Sequence, residues 1–576
     1  MKSNMVYWFR LVLLQLLLVS CSGDSAAESE GTITPDPTPD GEDYTKPDPD
    51  DKLLYNGIEL PSQWVPFSNY STNIYAGMSP TYLEDKPDVI NITVGRQLFV
   101  DDFLIESTDL ERKWYSTTYY SGNPVLSPET EWELGSSGGG WAAPFSDGVW
   151  YDESDQLFKM WYMGSGGSIG GSVTCYAEST DGINWTRPSL NVVSGTNIVN
   201  KPTSRDSYSV WIDKLADDSS ERYKMFGVSD GAGAWKYHYY TSSDGKAWRE
   251  RTSSSTAGAL ADRSTVFYNP YRDVWVYSMR HNVRIDDNTL IRARDYFEYQ
   301  DPSRGTELAE ADLDLFWFGP WPDEPRHTNS KYAYEQPAIY NLDAIAYESL
   351  LIGTFSVWTG PENDICAADG VIKENQLLLG YSRNGWHWSR DYFTPFCAVS
   401  DSGDDWNYGN IQSACGSPII VGDKLYFYMS GRRFEKSSGK EIVSTGLATL
   451  RRDGFASMSG SGTLTTETLK FTGEYLYINA EINGSIQVEI CDVNGDVISG
   501  YSKDECVSVV DGGTKLRVEW VDNSSLADLD NDNIKIKFYL ADSDLYAFWI
   551  SQTEDGKSYG FTGGGAVGLN VLGIDM

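Results

Sequence analysis

Between residues 120 and 458 short apolar runs alternate with polar turns, and the three-to-four-residue spacing of an amphipathic helix is scarce. The runs come in pairs. Gly148–Asp152 is followed by Phe158–Tyr162, Ser209–Asp213 by Tyr223–Phe226, and Thr265–Tyr268 by Val274–Tyr277. Ala344–Tyr347 is followed by Leu351–Phe355, and Pro418–Val421 by Leu425–Tyr428. Each pair leads to a segment closing on an aromatic residue: Ala177–Trp185, Thr241–Trp248, Arg294–Tyr299, Tyr381–Trp388 and Arg452–Phe455. Most of these hold Asp-Gly or Asn-Gly, which make tight hairpin turns because both residues tolerate positive φ. Five such units predict five four-stranded blades, a five-bladed β-propeller. From about residue 459 the pattern becomes strict alternation, in 475–479, 484–490, 516–520, 534–538 and 545–549, which predicts an antiparallel β-sandwich. The fold class expected is all-β, a five-bladed β-propeller followed by an antiparallel β-sandwich.

Composition fits that picture and narrows the partners. A chain of 576 residues exceeds one ordinary core, and its 20 Trp and 37 Tyr suit β cores or stacking on sugar rings. The formal net charge of −38 argues against a nucleic-acid partner, because such a chain repels phosphate backbones.

The first 21 residues combine Lys2 and Arg10 with the apolar run Leu11–Val19 and then Ser20-Cys21, a secretory pattern too short to span a bilayer comfortably. It resembles a bacterial lipoprotein signal, which implies acylation of Cys21 and export to the outer membrane, with the lipid anchor as the only membrane contact. The acidic stretch after Cys21 is similar to the surface-export signals of Bacteroidetes lipoproteins. Residues 22–52, rich in Pro, Asp, Glu, Ser and Thr, are expected to form a disordered tether. The propeller is expected over 53–458, with a lead-in to about 120, and the sandwich over 459–576. Cys175, Cys366, Cys397, Cys415, Cys491 and Cys506 form no CxxC pair, and with four His no metal site or cofactor is expected. Cys366 with Cys397, or Cys491 with Cys506, are open disulfide pairings.

A propeller followed by segments such as Gly484–Gly495 and Gly500–Cys506 resembles the glycoside hydrolase family 32 and family 43 superfamily, over roughly residues 95–570. A six-bladed sialidase-like propeller is the competing architecture, but its turn motif places a residue between Asp and Gly, and these turns do not. Cleaving a glycosidic bond takes one carboxylate as nucleophile or base and one protonated carboxyl as acid. In a propeller both belong at the starts of the innermost strands, where loops of all blades converge. The resemblance implies Asp147 as nucleophile or base, Glu335 as general acid in Tyr334-Glu335-Gln336-Pro337, and Asp262 as transition-state stabiliser. Asp343 and Glu348 are rivals for the acid and candidate substrate contacts. Asp206, Arg205, Arg263 and Trp141 are further candidates for the substrate pocket, and Arg292 and Arg294 can contact hydroxyls or a sugar acid. The sequence departs from family 32 where Ser146-Asp147-Gly148 replaces its Asn-Asp-Pro-Asn-Gly string and Asp262-Arg263-Ser264 replaces Arg-Asp-Pro. Fructan specificity is therefore not expected. The function expected is an exported glycoside hydrolase acting on a poly- or oligosaccharide, with furanosides among the substrates the resemblance admits. The alternative is a non-catalytic glycan-binding lipoprotein on the same scaffold.

Overall fold

The computed structural model describes residues 46–66, 74–135, 139–202, 204–231, 234–254, 261–284, 290–309, 316–333, 336–435, 440–569 and 571–576. The signal-like segment with Cys21, most of the tether, and Glu335 lie outside these residues. The tether's last residues are placed: Lys46 reaches Asp217 at 3.3 Å, and Arg272 donates to the Pro49 carbonyl at 3.4 Å. Leu54 and Tyr55 then enter the core, Tyr55 stacking on Tyr271 with ring centroids 4.7 Å apart.

Five blades surround one axis. Blade one comprises Gly140–Asp152, Leu157–Gly164, Val173–Ser179 and Ile198–Asn200. Blade two comprises Tyr208–Ile212, Tyr223–Gly231, Ala234–Ser242 and Arg249–Ser253, and blade three Thr265–Asn269, Val274–Arg284, Leu290–Tyr299 and Phe316–Phe318. Blade four has Ala338–Glu348, Leu350–Gly360 and Glu374–Ser382, with bridges at Leu377–Cys397 and Tyr381–Ser389 replacing a regular outer strand. Blade five has an interrupted inner strand, Asn410–Ser413 and Ile419–Val421, then Lys424–Glu435 and Lys440–Arg451. Its outer position is filled by Thr118–Tyr119 from ahead of blade one, so the last blade is completed by the start of the chain. The ring thereby leaves fewer open edges for unwanted pairing. One expected turn is corrected: Arg294–Tyr299 belongs to the third strand of blade three, because its alternating apolar positions pair with Trp275–Arg280.

The turns explain why Asp-Gly recurs. Ser179 Oγ accepts from the Gly182 N–H, and Asp181 Oδ1 accepts from Ile183 and Asn184 N–H. Ser242 with Asp244, and Ser382 with Asn384, repeat the scheme. Each turn then receives an aromatic donor from another blade: Tyr428 Oη bonds the Gly182 carbonyl and Trp161 Nε1 the Gly245 carbonyl, both at 2.7 Å. Most of the large aromatic residues at these joints serve packing. Trp150, Trp211 and Trp275 form a buried chain with successive centroids 4.8 and 5.7 Å apart.

The C-terminal part is a nine-stranded sheet around Ala456–Thr466, Tyr475–Cys491 and Asn533–Ser551. Four of the alternating runs merge pairwise, 475–479 with 484–490 and 534–538 with 545–549, into the last two of these strands, interrupted by bulges between Ile482 and Ser485 and opposite them near Asp542, whose φ is +43°. Ile90–Asn91, Gln97–Leu98, Ile105–Thr108 and Glu111–Trp114 join the same sheet, so part of the lead-in expected within the propeller packs here instead. The end of the chain returns to the propeller. Phe561–Thr562 pairs with Tyr347 and Glu348 of blade four, and the next residues bond Tyr151, Ile420 and Glu153. This glycine-rich strip covers the end of the axis opposite the starts of the inner strands. All six cysteines from Cys175 onward are free thiols, so neither disulfide pairing forms.

Candidate active site at the propeller axis

The inner strand of blade one carries the most irregular backbone at the axis. Its register with the neighbouring strand jumps from Ala143–Met163 to Gly148–Trp161, so Pro144–Asp147 bulge out opposite Tyr162 alone. Phe145 and Ser146 sit at φ +45° and +83°, a conformation costly for residues with a side chain, and Gly148 at +139°. Two contacts hold the bulge. The Phe145 N–H donates to Ser430 Oγ at 2.8 Å, and Ser146 Oγ donates to Asp343 at 2.9 Å. The next residue, Asp147, is thereby directed to the axis.

Asp147 is fully buried and meets Arg205 in a two-point pair, with Nη1 to Oδ2 at 3.0 Å and Nη2 to Oδ1 at 2.5 Å. Arg205 is shared with Thr174 Oγ1 at 2.7 Å and stacks over Tyr208 at 4.5 Å. Burial pushes Asp147 up to about 6, against the pull of Arg205 and Arg263 and with a further push from Asp343. Asp343 is also buried, and burial outweighs its hydrogen bonds to raise it. Its carboxylate accepts from Ser146, from Asn341 Nδ2 at 2.8 Å, from Ser413 Oγ and from the Cys415 thiol at 3.4 Å. Three blades thus converge on one carboxyl.

Asp206 and Arg263 lie nearer the opening. Asp206 accepts from the Arg263 backbone N–H at 3.0 Å and from its guanidinium at 3.1 Å, and Arg263 adopts φ +57° to do so. Burial pushes Asp206 up, and Arg263 outweighs it, holding the carboxyl below its ordinary value. Arg263 Nη1 also bonds Gln412, which bonds Asn410, both at 3.2 Å. Arg294, entirely buried, donates to the carbonyls of Arg263 at 3.0 Å and Tyr340 at 3.3 Å, and burial lowers it to about 9. It positions the two residues whose backbones it binds. Asp262, at the rim, pairs with Arg280. Trp141 is half-buried against Phe145, with centroids 6.1 Å apart, where blades one and five meet.

Asp147, Arg205, Asp206, Arg263 and Asp343 are therefore brought together, with Asp262 and Trp141 at the margin. Glu348 is not among them. It lies five residues beyond Asp343 on one extended strand, about 16 Å away and facing the other side. There it accepts from the Arg96 N–H at 3.1 Å, Ser558 Oγ at 2.7 Å and Arg452 at 3.2 Å, in a buried ion network with Asp453. The expected substrate contact at Glu348 is corrected to a structural one. Residues that sequence reasoning missed are Asn341, Tyr340, Gln412 and Ser413. The last two escaped because the inner strand of blade five starts at Asn410, eight residues before the run Pro418–Val421 taken as its beginning.

No family model matches the chain, and no curated protein does. Solved structures give distant matches. A β-1,2-mannobiose phosphorylase from Listeria innocua, in complex with β-1,2-mannobiose, is 11% identical over 58% of this chain and 97% of its own, with a TM-score of 0.37. An N-acetylgalactosamine deacetylase from F. plautii, in complex with blood group B trisaccharide, is 11% identical over 57% and 97%, with a TM-score of 0.35. A glycosyl hydrolase from Bacteroides ovatus is 13% identical over 61% and 96%, with a TM-score of 0.34. Likeness at this level carries no argument about the activity of this chain.

Proposed function

We propose that the open end of the propeller axis is the active site of a carbohydrate-active enzyme that hydrolyses glycosidic bonds. The observation that carries this reading is the convergence of the carboxyls Asp147, Asp206 and Asp343, from three blades, with Arg205 and Arg263 at one end of the axis. Cleaving a glycosidic bond takes two carboxyls in one pocket, one as nucleophile or base and one as acid. Asp147 is the nucleophile or base. Arg205 occupies one lone pair on each of its oxygens and leaves the others for a proton or a sugar carbon. Glu335, in the segment just ahead of Ala338, is the acid, and Asp206, Asp262 and Arg263 hold sugar hydroxyls. Furanosides belong to this proposal as a substrate class, and so does anchoring through acylated Cys21, which palmitate labelling of wild type beside Cys21→Ala tests.

The deciding experiment is reducing-sugar release from plant, fungal and bacterial glycans by wild type, Asp147→Asn and Glu335→Gln. Release that both variants lose, with circular dichroism unchanged, supports the assignment. Full activity in Asp147→Asn removes it. One observation favours the second reading, a glycan-binding protein: Asp147 is wholly covered and both its oxygens are engaged by Arg205. That reading requires a glycan bound tightly and never cleaved.

A further inference from the structure

The rim of the axial site has a charge opposite to that of the chain. Arg263, Arg280, Arg292, Arg432 and Lys373 gather from blades three, four and five in a protein of net charge −38. Three of them are answered: Asp206 pairs with Arg263, Asp262 with Arg280, and Glu441 with Arg432 at 3.1 Å. Arg292 and Lys373 pair with no carboxylate among the described residues. Both face Tyr340. Lys373 Nζ lies 3.4 Å from its hydroxyl, and the Arg292 guanidinium lies 5.3 Å from its ring and 5.5 Å from that of Trp358. Two buried donors at this spot, Arg292 Nε and the Trp358 indole N–H, make no hydrogen bond among the described residues. The guanidinium is held by aromatic faces while its donors are unspent, an arrangement that suits a planar or tetrahedral oxyanion. Lys373, Arg263, Arg292 and Arg432 also act together on the Tyr340 hydroxyl, outweighing burial to lower it. Positive potential is thus concentrated at that oxygen.

We propose that this rim recognises an acidic substituent on the sugar ligand, a carboxylate or ester anion seated between Arg292, Lys373 and the Tyr340 hydroxyl. The inference rests on the axial face being the carbohydrate site, and it narrows the ligand to acidic glycans. Both cations are half-buried, so they are partly desolvated with no carboxylate to offset it, which is unfavourable. An anionic ligand supplies the missing charge, and a neutral one leaves the donors unmet.

The test is isothermal titration of the full chain, at fixed ionic strength, with uronate oligosaccharides, each beside its carboxyl-reduced counterpart, and with inorganic phosphate. Wild type is expected to bind at least one uronate oligosaccharide about tenfold or more tighter than its reduced form, the range of one charge-assisted hydrogen bond. Arg292→Met and Lys373→Met are expected each to remove most of that preference, weakening the uronate form more than the reduced one. A preference that survives in both variants overturns the proposal, as does equal binding of acidic and reduced sugars. Binding of phosphate with no acidic sugar overturns it too. Turnover in Asp147→Asn is scored separately. Unchanged turnover there with the acid preference intact removes the catalytic assignment and leaves the anion site standing.

Discussion

Asp147 and Arg205 face each other across adjacent blades with two hydrogen bonds, and neither side chain is exposed to solvent. Such a pair is worth little over a well-packed apolar pair, but breaking it by removing one member strands a buried charge. Arg205→Met is therefore expected to cost about 3–5 kcal/mol in denaturant unfolding at pH 7.5. The loss should shrink at pH 5, where the stranded carboxyl takes up a proton. The double variant Asp147→Asn/Arg205→Met should recover part of it, and equal losses in the single and double variants at pH 7.5 would show that the pair is not coupled.

The same carboxyl gives a stability profile with a defined sign. Its folded value of about 6 lies above that of an unfolded Asp. The folded state therefore holds the proton more tightly, and this contribution is full below about pH 4 and lost as pH rises to about 6. The span corresponds to about 3 kcal/mol. Carboxylates held low, such as Asp152 and Asp453, act in the opposite direction, so the measurement is the difference between wild type and Asp147→Asn. Relative to the variant, wild type is expected to lose stability between pH 4 and pH 6. A flat difference there would contradict the burial-driven shift.

Glu348→Gln separates the two ends of one strand. It unbalances the network of Arg96, Arg452, Asp453 and Asp575 and should lower the melting temperature clearly, as loss of a buried charge partner does. Glycan binding and turnover below that temperature should stay at wild-type levels. A change in either with stability unaltered would return Glu348 to the site.

Much of this was legible in the chain because the signals are local. The Asp-Gly turns at Asp181 and Asp244 announce hairpins through hydrogen bonds within four residues, and the paired runs announce the inner two strands of each blade. Asp147, Asp206 and Asp343 could be picked out because they precede the apolar runs that mark inner strands, although Asp147 and Asp343 lie well inside the longer strands that form. What stayed hidden depends on distant partners. Glu348 looked like Asp343 in sequence, and only the strand's length and parity separate them. Gln412 and Ser413 sit in a two-part strand split by Gly416 and Pro418, which breaks the apolar run that marks other inner strands. Tyr340 gained its role from cations of three blades that no spacing rule connects. The long strands Tyr475–Cys491 and Asn533–Ser551 read as separate because bulges reset their alternation.

The strip that covers the far end of the axis has its own test. A Cβ on Gly564 would fall 1.3 Å from the Gly416 carbonyl oxygen, a backbone atom that cannot swing aside. Gly564→Ala should therefore destabilise the protein by at least the 1–3 kcal/mol typical of overpacking. Gly568→Ala gauges the positive-φ strain alone, since its φ is +87° and nothing lies within 4 Å of its Cβ. A loss no larger at Gly564 than at Gly568 would mean that the strip yields and does not close the axis.

Arg294 offers the sharpest probe of how the site is held, because it touches the site only through backbone. Its guanidinium spans the carbonyls of Arg263 and Tyr340 and the hydroxyl of Ser278, fixing two residues whose side chains face the opening. Lysine keeps the charge and loses the planar fork, so Arg294→Lys should satisfy at most part of these acceptors. Arg263, already at φ +57°, is the residue freed by that change. The expected result is weaker binding of any axial ligand by about tenfold, the loss of one charge-assisted hydrogen bond's worth of positioning, with a smaller fall in melting temperature than Arg205→Met gives. A purely structural role predicts the reverse order, a large stability loss with affinity unchanged in the folded fraction. Titration and thermal unfolding of the two variants side by side decide between them.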